Sequence, residues 1–284
     1  MSNSKKTLHE GKTVNLHTHS RYCGHGSGEL SDFVDAAKRS KFTALGLSEH
    51  CPVPDERWNS SRMDYNQIQT YMDECRTLQR DESDIEILCG FECDHDARYT
   101  SWYKEELLDT HFADYLVFAI HYMGGADHGD LYLQKISSDK KNLHEYTDRY
   151  VDGLLSGMYL FGVHPDIFGM FYRSWDDEAI SCSKSILACA ESQQIPLEIN
   201  GYGFRKPIIT STEGRRLQYP LRQFWELATQ YDIQVIVNSD THYPEDMDLE
   251  GLGAHELAQD LNLTYTDWII SDNTFGGKTI EKQK

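Results

Sequence analysis

The chain has 284 residues, 39% of them hydrophobic, and a formal net charge of −19, so it can bury a large core but disfavours polyanion surfaces, which need a basic footprint to release counterions. Nucleic acid is thereby excluded as an expected partner, and any phosphate handled must be small and held at a local positive site. Met1-Ser2-Asn3-Ser4-Lys5-Lys6 has no apolar stretch behind it, so the expectation is a cytoplasmic protein with no membrane partner.

From Thr13 onward, short apolar runs rich in β-branched residues alternate with longer amphipathic stretches, the pattern of a parallel sheet with helical crossovers. Seven strands are expected near residues 13–17, 43–48, 85–92, 115–121, 159–164, 196–200 and 233–240. Helices are expected at Leu30–Ala37, with Phe33, Val34 and Ala37 on one stripe and Ser31 as the cap, and at 64–80 and 175–191. No repeat or Pro/Gly/Ser linker interrupts the chain. The expectation is α/β architecture in one barrel domain over 1–284, with flexible ends at 1–12 and 275–284. Long loops at 21–29, 51–63, 124–139 and 201–216 should roof the site. Gly201-Tyr202-Gly203 reads as a turn.

Seven cysteines (Cys23, Cys51, Cys75, Cys89, Cys93, Cys182, Cys189) include no CxxC pair, so reduced thiols are expected instead of disulfides or a thiolate zinc knuckle. The informative residues lie at the strand ends. His17 and His19 close the first strand at i and i+2, on one face. His50, Glu92, His121, His164, Asp240 and His242 follow later strands, and His25 lies just beyond the first pair. Imidazole with carboxylate suits zinc, iron or manganese, and nine such groups could hold two or three ions if a carboxylate bridges. Arg173 and Arg205 follow two of these strands and are candidates for binding phosphate oxygens. His95, His111, His128, His144 and His255 break the strand-end rule and read as surface or structural residues.

With these residues assembled, the sequence resembles the PHP (polymerase and histidinol phosphatase) superfamily, particularly its histidinol-phosphatase branch. The matching stretches are Asn15-Leu16-His17-Thr18-His19-Ser20, Arg21-Tyr22-Cys23-Gly24-His25, Leu47-Ser48-Glu49-His50, Gly90-Phe91-Glu92, Ala119-Ile120-His121, Gly162-Val163-His164-Pro165-Asp166 and Asn238-Ser239-Asp240-Thr241-His242. The resemblance implies a distorted (β/α)7 TIM-like barrel holding three divalent transition-metal ions. Its ligand sets would be His17, His19, Glu92 and Asp240 for one metal, Glu92, His121 and His164 for a second, and His25, His50 and His242 for a third. It also implies hydrolysis of a small phosphomonoester, L-histidinol phosphate, by metal-bound hydroxide, a step of histidine biosynthesis. Glu92, Asp240 and His242 would be catalytic and Arg173 and Arg205 substrate-binding. The alternatives are a PHP phosphoesterase acting on a different small phosphate or a nucleic-acid end, and a non-catalytic metal-binding regulatory module. Oligomeric state is left open.

Overall fold

The computed structural model describes residues 14–124, 130–248 and 252–263, with the backbone of Thr274–Phe275 and Lys278–Thr279 paired antiparallel. Strand β1 (Val14–Asn15) pairs in parallel with β2 (Ala44–His50), β2 with β3 (Glu86–Asp94), and β3 with β4 (Tyr115–Ala119). The next place in the ring is taken by Gly162 alone, bridged to Phe118 on one side and Leu197 on the other. Strand β5 (Leu197–Asn200) then pairs with β6 (Val235–Asn238), and Thr241 bridges back to Thr18. The result is a closed ring of seven parallel positions, matching the seven predicted strands.

The predicted strand at 159–164 contracts to a single bridge. Its hydrogen bonds survive: Leu160 N donates to Leu116 O (2.8 Å), Val163 N to Phe118 O (3.0 Å), and Gly162 O accepts from Glu198 N (3.0 Å). A side chain at 162 would collide with the helical layer outside the sheet, because a Cβ there would lie 2.3 Å from the Tyr150 hydroxyl.

Alternation divides each strand's side chains between two cores. Val14, Leu16, Ala44, Leu88, Tyr115, Val117, Phe161, Val163 and Ile236 fill the barrel interior beneath the site. Tyr115 spans this interior and donates to Leu16 O at 2.9 Å, and Gly46 and Gly90 leave room for its ring. Outside, the sheet is covered by α1 (Leu30–Arg39), α2 (Ile68–Asp81), α3 (Lys140–Leu155), α4 (Asp177–Gln193), α5 (Arg222–Ala228) and α6 (Ala254–Asp260).

Helix α1 buries the predicted stripe, but its N-cap is Glu29, not Ser31, which falls in the first turn. Asp32 closes that end by accepting from Glu29 N at 2.8 Å. Residues 65–67 of the helix predicted from 64 form a 3₁₀ turn ahead of α2. Helix α3 was not anticipated. Its Lys140-Lys141 start reads as solvated surface, yet Leu143, Tyr146, Tyr150 and Leu154 recur at helical spacing and are all buried. Of the predicted flexible ends, 1–12 lies wholly outside the described residues, as do 276–277 and 280–284. All seven cysteines are free.

Candidate metal centre

The parallel ring aims every strand's C-terminal end at one mouth, so residues far apart in sequence meet there. Glu92, near the C-terminal end of β3 and 1% exposed, is the hub. Its Oε1 lies 3.4 Å from His17 Nε2, 3.6 Å from His121 Nε2 and 3.2 Å from His164 Nε2; its Oε2 lies 3.4 Å from His19 Nε2 and 2.7 Å from His50 Nδ1. Asp240 Oδ1 faces His17 Nε2 at 3.5 Å and His19 Nε2 at 3.2 Å. His164 and Asp240 both have positive φ (30° and 48°), a conformation costing roughly 1–3 kcal/mol at a non-glycine residue and typical of functional sites.

His50 Nδ1 and His164 Nε2 lie within hydrogen-bond reach of Glu92, while the separations around His17 and His19 match a shared cation better than direct hydrogen bonds. Two ligands of a tetrahedral ion, each about 2.0–2.1 Å from it, stand about 3.3 Å apart. His17 Nε2 and His19 Nε2 are buried with no hydrogen-bond partner among the described residues, a costly arrangement unless something else meets them. Within coordination reach of one another are His17, His19 and Glu92; His50, Glu92 and His121; His19, His50 and His242; and Cys23, His25 and His242. His50 therefore stands between the Glu92 group and the His242 group, where the resemblance placed it only with the latter.

Burial opposes charge on His17 and His19, but the surrounding carboxylates outweigh it. Glu198, Asp240 and Glu92 hold His17 well above its usual pKa, and His19, beside Asp240, Glu49 and Glu92, rises to about 9. His50, His242 and His25 go the other way, lowered by burial and by the charge on His19. Glu92 and Asp240 stay ionised despite burial because imidazoles surround them.

Two buried carboxylates that the strand-end rule missed, Glu198 and Asp94, orient imidazoles of the cluster, and a third, Glu49, lies beside His19. Glu198 Oε1 accepts from His17 Nδ1 at 2.8 Å, and its Oε2 accepts from His164 N and Asn200 Nδ2. Asp94 accepts from His121 N at 2.7 Å and lies 3.3 Å from its Nδ1. Glu49 accepts from Ser20 N and Oγ and has Oε2 3.9 Å from His19 Nδ1. A carboxylate on Nδ1 leaves Nε2 as the free lone pair, the usual support for a metal-binding histidine. The available signal was alternation: Asp94 follows Glu92 by two on β3, and Glu198 is a lone acid within an apolar strand.

A cavity of about 900 Å³ opens over this cluster, lined on one side by His25, His50, His121, Asp240 and His242 and on the other by Trp58, Arg62, Tyr122 and Tyr132. Neither predicted arginine lines it. Arg205 is drawn away by an ion pair with Asp246, and Arg173 lies beside Arg216, its backbone clipped to Ser138 and Thr212. Lys206 takes that place. Its Nζ sits 4.1 Å over the Tyr202 ring, burial pulls its pKa below the ordinary lysine range against the pull of Asp240, and among the described residues it makes no ion pair. His95, off the strand-end rule, is structural, held by Tyr159 and Asp152.

A family model for the PHP domain matches residues 15–201. The chain belongs to the PHP domain family. The match ends before Asp240 and His242, yet the barrel returns both to the PHP site. "Probable histidinol-phosphatase" of Deinococcus radiodurans is 25% identical over 234 residues, covering 80% of this chain and 85% of the relative. The protein of that name from Schizosaccharomyces pombe is 24% identical over 259 residues, covering 83% and 82%. Among solved structures, histidinol phosphate phosphatase from Lactococcus lactis, complexed with zinc, L-histidinol and phosphate, superposes with a TM-score of 0.68 at 17% identity, covering 95% of this chain and 99% of that one. The PHP barrel is thus reproduced at low identity. No helix among the described residues is long and apolar enough to cross a membrane.

Proposed function

We propose that this PHP protein is a metal-dependent phosphomonoesterase that hydrolyses L-histidinol phosphate to L-histidinol and phosphate. The observation that carries the reaction class is the spacing around Glu92, where five imidazoles and Asp240 converge at ligand separations on the floor of a cavity sized for a small molecule. The substrate is supported by the names of the relatives and by the L-histidinol and phosphate bound in the Lactococcus lactis structure.

His17, His19, Glu92 and Asp240 would hold one ion, Glu92, His121 and His164 a second, and His25, His50 and His242 a third, the ions being zinc, iron or manganese. Bound divalent ions supply Lewis acidity to the phosphoryl oxygens and acidify a water near neutral pH. The chain's own groups do the rest. Glu92 keeps neighbouring ligand sets in register, and Lys206 offers a half-buried positive charge to the phosphoryl group from the cavity wall. Asp240, which lines the cavity, would relay a proton to the leaving alkoxide. Trp58, Tyr122 and Tyr132 supply flat apolar surface for an imidazole ring. We also take the whole chain as one such barrel acting in the cytoplasm, its net charge of −19 turning nucleic acid away.

A phosphatase panel decides between substrates. Release of phosphate from histidinol phosphate well above that from an aryl phosphate or a 5′-phosphorylated oligonucleotide is the expected result. Equal rates on all three would remove the substrate assignment, and no turnover after loading with zinc, manganese or iron would remove the enzyme.

A further inference from the structure

The segment between β2 and α2 carries one side chain that belongs to the cavity wall and to the metal centre together. Arg62 is 1% exposed at its side chain. Its Nη2 donates to Asp94 Oδ2 at 2.7 Å, its Nη1 to Cys51 O at 2.6 Å and its Nε to Trp58 O at 3.3 Å. The guanidinium also lies 4.9 Å from the Trp58 ring centroid and 5.8 Å from that of Tyr122, two rings stacked on each other at 5.1 Å. Asp94 passes the restraint on. Its Oδ1 accepts from His121 N at 2.7 Å and both its oxygens lie 3.3 Å from His121 Nδ1.

We infer that Arg62 is a positioning residue: through Asp94 it sets the orientation and tautomer of His121, and so ties the aromatic wall of the cavity to one metal position. The physical reasons are two. A guanidinium has a rigid planar fork whose donors reach fixed places, so with Nη1 and Nε anchored on backbone carbonyls the Nη2 donor presents Asp94 in one rotamer. A buried carboxylate stripped of its cation becomes an uncompensated charge and must move toward other donors. His121 then loses the fixed acceptor that leaves its Nε2 lone pair facing Glu92. Glu198 gives His17 comparable support from the barrel wall, backed by Asn200 and Asn238 instead of a cation. The His121 support depends on a loop that also forms the cavity wall, so contact of a substrate's organic part with Trp58 and Tyr122 reaches this ligand.

The inference rests on the metal-site reading and is tested by zinc titration of the full chain against a chromophoric chelator, comparing the wild type with Arg62→Lys, Arg62→Met, Asp94→Asn and the double variant Arg62→Met/Asp94→Asn. Outer-shell partners typically change metal affinity about 10–100-fold. The expected result is that Arg62→Met and Asp94→Asn each weaken one ion by that factor while the remaining zinc is held as in the wild type. Arg62→Lys should fall between, and the double variant should bind no worse than Asp94→Asn alone, because the two residues act in series. The double variant also buries no lone charge, so it reads out the relay even where Arg62→Met does not fold. Wild-type zinc affinity in Arg62→Met, equal weakening of every ion, or additive losses in the double variant would overturn the relay. Failure of the wild type itself to take up zinc would overturn the metal-site reading beneath it.

Discussion

His25 and His242 face each other through their Nε2 atoms at 3.0 Å, although each ring turns its Nδ1 to a backbone carbonyl, Cys23 O at 3.0 Å and Asp240 O at 3.1 Å. If both Nδ1 atoms donate, both Nε2 atoms present lone pairs to each other. That contact is repulsive in neutral rings, and burial keeps both histidines below their usual pKa. A cation held by both Nε2 atoms resolves it.

The first prediction is stoichiometric. Protein purified without chelator should carry more than one and up to three transition-metal ions per chain by elemental analysis. His25→Ala or His242→Ala should lose one ion, and Glu92→Ala should disturb two, since its carboxylate faces both the His17–His19 pair and the His121–His164 pair. Full metal content in Glu92→Ala would refute the bridging role.

Binding of the phosphoryl group should depend on Lys206 and not on its neighbour in sequence. A charge-assisted contact made in both ground and transition states is worth about 1.5–3 kcal/mol and is read mainly in KM. Lys206→Ala should therefore raise KM roughly 10–100-fold with kcat little changed, while Arg205→Ala and Arg173→Ala stay near wild type. Steady-state kinetics on histidinol phosphate would show the reverse if the arginines bind the substrate.

No cysteine should be needed as a nucleophile. Burial, with Glu49 nearby, pushes the Cys23 thiol up to about 12, leaving it protonated at neutral pH. Cys51 is buried with its thiol donating to Pro52 O. Cys23→Ser and Cys51→Ser should keep most of their activity, and loss of turnover in a folded, metal-loaded variant would revive a covalent route.

Packing around Tyr115 gives a stability test. A Cβ on Gly46 would stand 2.0 Å from the Tyr115 hydroxyl and 2.8 Å from Leu16 Cα. Gly46→Ala should destabilise by about 1–3 kcal/mol, the usual cost of overpacking a tight core. Urea denaturation would measure it, and an unchanged midpoint would mean the inner layer is looser than drawn.

Helix α4 should lose stability with its cap, in a pH-dependent way. Asp176 accepts from Glu178 N and Ala179 N. Slight burial would raise its pKa, but the bonds from Ala179 N, Tyr172 and Glu178 N hold it below the usual range. Asp176→Ala should cost about 1 kcal/mol at neutral pH. Because the folded-state pKa is the lower one, that difference is present above the unfolded pKa and fades as pH falls through the folded pKa. Denaturation at pH 7 and in acid would show the gap closing.

Much of this protein was legible from residue type and order alone. Seven short apolar runs, six of them ending in histidine or carboxylate, specify strands with their polar ends at one mouth, because a parallel ring aims all its C-termini the same way. That rule picked out eight of the nine proposed ligands, His25 lying in the loop beyond the first strand. Tertiary structure was needed wherever the outcome depends on a side chain's direction or on a distant partner. Arg205 ends a four-residue 3₁₀ turn and Lys206, its C-cap, is already extended, so the two neighbours leave the chain in different directions; the ion pair with Asp246 holds Arg205 outward while Lys206 lines the cavity. Glu198, Asp94 and Arg62 resemble ordinary strand and loop charges until the ring closes, since their partners lie between 27 and 181 residues away along the chain. Charge compensation in a buried site is a property of neighbours in space, and strand periodicity carries no record of those neighbours.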